Sequence, residues 1–333
     1  MLHAAVIGLG RWGQQIITSI QGKSEKLRAV RGVDVAADGL RDFAAEHGIA
    51  LASDYQDALD DPGVDAVILT TPNSLHEEQV LRAVAAGKQV FCEKPLSLSR
   101  ASASKMVRAC AEAGQVLGVG HERRYEPAME EIARLVSSGA LGTIMHVEAN
   151  CSHDKMKALD PGHWRGSPVD APAAGMTGMG VHLTDLFINM VGPVRTVYAQ
   201  TAQRVLPLPS GDVVCVQMGF ESGAIGVVAA VSATPFFGRL AIFGSDGWVE
   251  TRDDAYVYDG GRTRLTLRGK DGERQTREFE AIDTVRANLE AWVDAVAGRG
   301  AYRFTESELV HNVAVLEAIA KSAASGAAEA VPS

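Results

Sequence analysis

The stretch Ala4-Ala5-Val6-Ile7-Gly8-Leu9-Gly10-Arg11-Trp12-Gly13 decides the fold. Its first four residues form a short apolar run that predicts a buried strand, and the glycines follow it with the spacing GxGxxG. The first glycine of this pattern permits a tight turn, the second lets the backbone approach a pyrophosphate, and the third lets the next helix lie close to the strand. A helix from about Arg11 to Ile20 would direct its N-terminal amides at the phosphates. The stretch therefore predicts a phosphate-binding loop that contains Gly8, Gly10, Arg11, Trp12 and Gly13.

An acidic residue lies near the end of the next apolar run. Asp34 belongs to the run from Leu27 to Val35, and a carboxylate at the end of the second strand binds an adenosine ribose and repels a 2′-phosphate. No basic residue follows until Arg41, so we expect NAD rather than NADP as the cofactor. Asp34 could instead cap the next helix, predicted at Gly39 to Glu46, but Asp38 is the better cap candidate, which leaves Asp34 for the ligand.

Polar residues also follow two further apolar runs, Ala66 to Thr71 and Gln89 to Cys92. Open α/β sheets bind ligands at the carboxyl ends of their strands. We therefore expect the following residues to line a cofactor cleft: Thr71, Pro72, Asn73, His76, Glu93 and Lys94. His76 could equally be a polar residue in the first turn of a helix that Ser74 caps.

Lys94 can give or take a proton if its surroundings lower its pKa, and burial or a nearby positive charge, such as an oxidised nicotinamide ring, would do so. Pro95 fixes the turn after it and could be cis. Taken alone, Glu93-Lys94-Pro95 is also typical of an exposed lysine between a strand and a helix.

The pattern of elements changes after His121. Before it, strands and helices alternate, which predicts a doubly wound parallel sheet. After it, a helix (Pro127 to Ser137) and a long strand (Thr143 to Cys151) precede successive strands with turn signals from Val194 to Phe279. These strands predict an open, largely antiparallel sheet. The predicted fold is α/β, with a Rossmann domain at residues 1–121 and an α+β domain at residues 122–333, whose last helices span about Thr284–Ala297 and Glu306–Ser325.

Composition restricts the class of protein. The 333 residues are 46% hydrophobic and 22% charged, and the net charge of −9 argues against a nucleic-acid partner. No apolar run approaches the roughly 20 residues of a membrane span, and the short N-terminal apolar run does not read as a signal peptide. The cysteines show no zinc-binding spacing, so we expect no metal and reduced thiols in a cytoplasmic protein; they are Cys92, Cys110, Cys151 and Cys215.

Four motifs occur in a characteristic order: GLGxxG (Gly8–Gly13), TPNxxH (Thr71–His76), EKP (Glu93–Pro95) and GxHxxD (Gly180–Asp185). This order resembles the glucose–fructose oxidoreductase, inositol dehydrogenase and rhizopine-catabolism (Gfo/Idh/MocA) family, and the similarity covers nearly the whole chain. The resemblance implies NAD(P)-dependent hydride transfer between nicotinamide and a secondary alcohol or ketone of a sugar, cyclitol or related polyol. It also implies a homodimer or homotetramer through the C-terminal sheet.

The resemblance assigns roles to individual residues. Lys94 matches the catalytic lysine of the family, and His182 matches the histidine of its proton relay. Asp185 lies one helical turn after His182, on the same helix face. Arg124, in the segment that resembles the interdomain connection, and Trp164 are expected near the substrate together with Asp185 and His182. Asp185 could instead pair with a neighbouring base, and His182 could be a helix N-terminal residue satisfied by the backbone.

Gly178 departs from the family pattern, because many of its dehydrogenases have an aspartate four residues before the histidine. Glycine cannot hold a proton, so a relay here would use His182, Lys94, water or a substrate group. Two other functions stay open: a redox-neutral, NAD-dependent glycoside-cleaving enzyme, and a non-enzymatic NAD-binding regulator. Lys94 and His182 argue against the regulator, and Gly178 is the feature that favours it.

Overall fold

The computed structural model describes residues 1–160, 162–256 and 259–332. Its strands are β1 (Leu2–Ile7), β2 (Leu27–Val33), β3 (Ala50–Ala52), β4 (Ala66–Leu69), β5 (Gln89–Cys92), β6 (Gly118–Val119), β7 (Ile144–Ser152), β8 (Val194–Ala202), β9 (Val213–Phe220), β10 (Ile225–Val231), β11 (Phe237–Gly244), β12 (Trp248–Asp253), β13 (Arg262–Arg268), β14 (Arg274–Glu280) and β15 (Glu329–Ala330). Its α-helices are α1 (Arg11–Ile20), α2 (Arg41–His47), α3 (Gln56–Leu59), α4 (His76–Ala85), α5 (Arg100–Glu112), α6 (Pro127–Ser137), α7 (Gly180–Val191), α8 (Thr284–Val296) and α9 (Glu306–Ser325).

The first sheet is parallel and has the order β3-β2-β1-β4-β5-β6. Its central strands are buried on both faces: Ala4 to Val6 of β1 and Ala66 to Leu69 of β4 have no exposed surface. Strands covered on both faces are apolar throughout, which is why continuous apolar runs in the sequence predicted these strands. The predicted doubly wound sheet is confirmed.

The second sheet is mixed, with the order β14-β13-β12-β11-β7-β10-β9-β8-β15. Its pairs are antiparallel except β7 with β10. Burial alternates along β9, where Val214, Val216 and Met218 are buried and the residues between them are not. A sheet with one covered face shows this alternation, and the predicted open, largely antiparallel sheet is confirmed.

Contacts between Cα atoms divide the chain into two compact units: residues 1–122 with 283–310, and residues 123–282 with 311–333. The sequence expectation assigned all of 122–333 to the second domain, and residues 283–310 differ from it. The reason is α8, whose Trp292 is fully buried, lies edge-on to Phe91 at 5.5 Å and donates through Nε1 to the carbonyl of Val116. The apolar face of α8 therefore belongs to the core of the parallel sheet.

Several local predictions differ from the structure. β3 and α3 were missed because they have only three and four residues. The helix predicted at Gly39 to Glu46 begins at Arg41, and neither Asp38 nor Ser74 caps a helix, since α2 and α4 are preceded by Leu40 and Leu75 without a side-chain cap. The described residues contain no helix that is long and apolar enough to cross a membrane.

Candidate functional site

The glycine-rich loop after β1 requires glycine at two of its positions and leaves room at a third. Gly8 has φ +92°, and a Cβ on Gly13 would lie 2.0 Å from the carbonyl oxygen of Gly8. Gly10 precedes α1 without a side-chain cap, and a Cβ there would meet no atom within 4 Å. Open space beside uncapped N-terminal amides fits a diphosphate group. Arg11 is exposed and Trp12 half-buried at the start of the same helix.

Thr70 fastens this loop to β4, and the sequence reasoning did not identify it. Its amide and Oγ1 donate to the carbonyl of Ile7 at 2.9 and 3.0 Å, and Oγ1 also contacts the carbonyl of Gly8. A Cβ on Gly8 would lie 3.1 Å from the backbone of Thr70. The close approach of these two segments explains why the small residue Gly8 is needed there.

Asp34 follows β2 directly, as predicted. Its Oδ2 accepts from the amide of Leu9 at 2.7 Å and its Oδ1 from the amide of Ala36 at 2.8 Å. Each carboxylate oxygen has a second lone pair, so Asp34 can hold the glycine-rich loop and still accept from a ribose diol. The next basic residue, Arg41, pairs with Asp38.

His76 is fully buried and does not present its ring to a cleft. Nδ1 lies 3.0 Å from the carbonyl oxygen of Pro95, and Nε2 lies 3.1 Å from that of Thr71. The Thr71 hydroxyl donates to Gln79 Oε1 at 2.6 Å. The side chains of these two predicted cofactor residues therefore connect the loop after β4 to Pro95 and to α4. Asn73, on the loop between them, is 5% exposed and follows Pro72.

The segment after β5 contains a buried carboxylate next to the predicted catalytic lysine. Glu93 is 6% exposed, and its Oε2 accepts from the amide of Lys94 at 3.1 Å. A Cβ on Gly120 would come within 2.4 Å of the Glu93 carboxylate, so glycine at 120 makes space for it. The Lys94–Pro95 peptide bond is cis, and Lys94 itself is half-buried.

In the second unit, Arg124 and Asp185 bind each other. Arg124 Nε and Nη2 donate to the two carboxylate oxygens of Asp185 at 2.8 and 2.7 Å, and Nη1 donates to Asn189 Oδ1 at 3.2 Å. The side chains of Arg124 and Asp185 are 1% and 3% exposed. The geometry matches the alternative in which Asp185 pairs with a base. The Arg124 guanidinium and the Asp185 carboxylate, which were expected near the substrate, bind each other.

His182 lies on the first turn of α7 and is 4% exposed, three residues before Asp185. Gly178 precedes the helix, is exposed, and has a negative φ. Among the described residues, a Cβ there would meet the carbonyl of Gly175 at 3.9 Å and no other atom within 4 Å. Neither backbone conformation nor space demands glycine at 178. Packing therefore does not explain why glycine replaces the aspartate of the family pattern at position 178.

The backbone before Gly178 is strained. Ala173 and Ala174 have φ +56° and +52°, a conformation that costs an L-residue about 1–2 kcal/mol. The amide of Ala174 donates to the carbonyl of Ser210 at 2.8 Å. The Asp212 carboxylate, which is fully buried, holds the loop that contains Ser210 by accepting from the amides of Arg204, Val205 and Leu206.

Two aromatic residues lie on loops of the same unit, Trp164 close to this segment in the chain and Tyr256 in contact with it. Trp164 stacks on His163, with ring centroids 5.7 Å apart, and the Arg165 guanidinium lies 4.3 Å from the Trp164 ring. Partial burial, together with Arg165, lowers the pKa of His163. Tyr256, which the sequence reasoning missed, donates its hydroxyl to the sulfur of Met179 at 3.2 Å.

Two family models match the chain. Residues 2–121 match a model described as "Oxidoreductase family, NAD-binding Rossmann fold", and residues 129–250 match one described as "GFO/IDH/MocA C-terminal domain". The chain belongs to the Gfo/Idh/MocA family of oxidoreductases. The resemblance drawn from the four motifs is confirmed, and so is the prediction of a nicotinamide-dependent oxidoreductase.

Relatives in this family differ in substrate and cofactor. The chain is 30% identical over 259 residues to scyllo-inositol 2-dehydrogenase (NAD+) of Bacillus subtilis, covering 74% of this chain and 72% of that one. It is 29% identical over 335 residues to D-xylose 1-dehydrogenase (NADP+) 2 of Haloferax volcanii, covering 98% of both. The crystal structure of an aldose-aldose oxidoreductase from Caulobacter crescentus, complexed with glycerol, superposes with a TM-score of 0.87 at 26% identity over 99% of both chains.

Proposed function

We propose that this protein is an NAD-dependent dehydrogenase or reductase that acts on a secondary alcohol or ketone of a sugar, cyclitol or related polyol. The observation that carries the proposal is Lys94 at the carboxyl end of β5, with its amide bonded to the buried Glu93 carboxylate. A half-buried lysine on a fixed backbone suits proton exchange with a substrate hydroxyl. The names of the inositol and xylose dehydrogenases support the polyol class.

The first unit supplies the groups that would hold the cofactor. Gly10 and the first amides of α1, at Arg11 and Trp12, suit the diphosphate, and Asp34 suits the adenosine ribose. When bound, the nicotinamide ring accepts or donates the hydride. Asp34 would repel a 2′-phosphate, and no basic residue lies between Asp34 and Arg41 in the chain. We therefore assign NAD as the preferred nucleotide.

The proton is the task of the chain's own residues. In the oxidative direction Lys94, in its neutral form, accepts the hydroxyl proton as the C–H hydrogen leaves as hydride, and in the reductive direction it returns that proton to the alkoxide oxygen. The resemblance assigns His182 to the proton relay. Arg124 and Asp185 support this step indirectly, because their buried pair fixes the helix on which His182 lies. No side chain at Gly178 takes part.

The test is a panel of polyols, cyclitols, sugars and sugar acids with NAD⁺, in which NADH formation is followed for wild type and Lys94→Ala. We expect at least one substrate, with turnover reduced about 10³-fold in Lys94→Ala and unchanged NAD⁺ binding by calorimetry. Lys105→Ala is the matched control, since Lys105 is 53% exposed and pairs with Glu77. Full turnover in Lys94→Ala contradicts the mechanism. NAD⁺ binding without NADH formation on any substrate favours redox-neutral glycoside cleavage or a regulator instead.

We also propose a homodimer or homotetramer through the second sheet. The strand register makes Ile225 and Phe243 neighbours of His146, and alternation along β11 puts Phe237 on the same face. Ile225 is 60% and Phe237 42% exposed, and exposed apolar residues that share a sheet face are typical of a protein interface. Native mass spectrometry should give a dimer or tetramer, and a monomer at micromolar concentration contradicts this assignment.

A further inference from the structure

We infer that His76 is a positioning residue that holds the loop of Lys94 in register with the loop of Thr71 and Asn73. The inference rests on the proposed function, in which one loop exchanges the proton and the other contacts the cofactor. His76 itself touches neither ligand, because it has no exposed surface. It acts through the two backbone carbonyls that face its ring. Both are acceptors, so the ring donates to one of them as the neutral imidazole and to both as the imidazolium.

The topology explains why one side chain can reach both loops. β4 and β5 are parallel neighbours, with Leu69 paired with Cys92, so their carboxyl-terminal loops leave the sheet side by side. His76 is the first residue of α4, and its ring lies between the carbonyls of Thr71 and Pro95 at 3.1 and 3.0 Å. The second of these carbonyls belongs to the residue directly after Lys94.

Each of the two loops also has a hydrogen bond that does not involve His76. Thr70, next to Thr71, is bonded to the glycine-rich loop, and Glu93, next to Lys94, is bonded to the Lys94 amide. His76 therefore joins two segments that are each already ordered. Its loss should change their relative placement, and misplacement of a catalytic group by about 1 Å can cost about 100-fold in rate.

Two substitutions separate the two connections. The amide nitrogen of an asparagine can occupy the position of Nδ1, so His76→Asn retains a donor to Pro95, whereas the amide nitrogen of a glutamine can occupy that of Nε2, so His76→Gln retains a donor to Thr71. His76→Leu retains neither. We expect kcat to fall about 100-fold in His76→Leu and His76→Gln but less than about tenfold in His76→Asn. KM for NAD⁺ should rise in His76→Leu and His76→Asn and stay near wild type in His76→Gln.

Tyr55→Phe is the matched structural control. Tyr55 is 7% exposed and its hydroxyl donates to the carbonyl of Gln79 on α4 at 2.9 Å, so this variant loosens the same helix but retains both ring contacts of His76. We expect its kcat and KM to match wild type. If Tyr55→Phe reproduces the losses, or if His76→Asn and His76→Gln behave alike, the inference is wrong.

Hydrogen exchange gives a readout that does not need turnover. With NAD⁺ bound, residues 93–98 should exchange faster in His76→Leu and His76→Gln, and residues 70–75 faster in His76→Leu and His76→Asn. Unchanged exchange in all three variants overturns the inference even if the enzyme is active. A wild type that forms no NADH on any substrate defeats the proposed function alone, because the exchange pattern still decides the placement of the loops.

Discussion

The loops at the carboxyl edge of the parallel sheet and the segment from Ala173 to His182 contain the residues proposed for catalysis, and the two regions are built differently. The loops are joined side chain to backbone at each step, by Asp34, Thr70 and His76. The segment contains two left-handed alanines and an exposed glycine, and a neighbouring loop holds its backbone. The first region is held by side chains that bond to the backbone of neighbouring loops, whereas the second has space for a side chain at Gly178.

The largest expected effect comes from the buried pair that fixes α7. Arg124→Ala leaves the Asp185 carboxylate buried without its bidentate partner, so we expect a loss of about 3–5 kcal/mol in the free energy of unfolding. Urea unfolding measures it. Arg108→Ala is the control: Arg108 lies 3.7 Å from Glu112 in a pair whose side chains are 73% and 72% exposed, and its removal should be silent. A loss below about 1 kcal/mol in Arg124→Ala would show that α7 does not depend on this pair.

A second effect follows from the carboxylate that holds the loop beside the strained segment. Burial raises the pKa of Asp212, but bonds from the amides of Leu206, Val205 and Arg204 outweigh it, and the pKa lies below its usual value. Because the folded pKa is depressed, its contribution to stability is complete above the unfolded pKa of about 3.9 and is lost as pH falls through the folded pKa.

Asp212→Asn should therefore cost about 1–3 kcal/mol at neutral pH, since an amide group faces backbone donors with its own N–H. The difference from wild type should shrink when urea unfolding is repeated near pH 3. Asp254→Asn, at an exposed carboxylate of the same unit, should give a small difference at both pH values. An equal loss in Asp212→Asn at both pH values would mean that the carboxylate charge is not what holds the loop.

The sequence predicted the first region better than the second for a physical reason. Gly8, Gly13 and Asp34 act within a few residues of a strand end, so local spacing reveals them. Arg124 and Asp185 are 61 residues apart in the chain, and no local sequence pattern predicts that they form a bidentate pair. His76 was predicted to line the cofactor cleft, and the contact of its ring with the Pro95 carbonyl, 19 residues away, could not be read from local spacing. The positive φ of Ala173 could not be predicted, because alanine is not typical of that conformation.

Asp34 allows a smaller test, confined to the first region. Asp34→Ala removes the carboxylate that opposes a 2′-phosphate, and it also removes the bond to the amide of Leu9. We expect the ratio of NAD⁺ to NADP⁺ affinity to fall about tenfold, with weaker binding of both nucleotides. Calorimetry with each nucleotide measures the ratio, and Asp57→Ala serves as the control for an exposed carboxylate of the same unit. An unchanged ratio would remove Asp34 as the selecting group.

The smallest expected effect comes from Ala173→Gly, which tests the strained segment alone. Glycine adopts the left-handed conformation without strain but has more freedom when unfolded, so Ala173→Gly should raise the free energy of unfolding by only about 0.5–1 kcal/mol. Ala171→Gly, at a position without positive φ, should lower it. If the strained backbone fixes the position of the segment that leads to His182, Ala173→Gly should also lower kcat. KM for NAD⁺ should stay constant, because the substitution does not alter the glycine-rich loop or Asp34. A variant that is more stable and equally active would show instead that the segment holds its geometry through the Ser210 carbonyl alone.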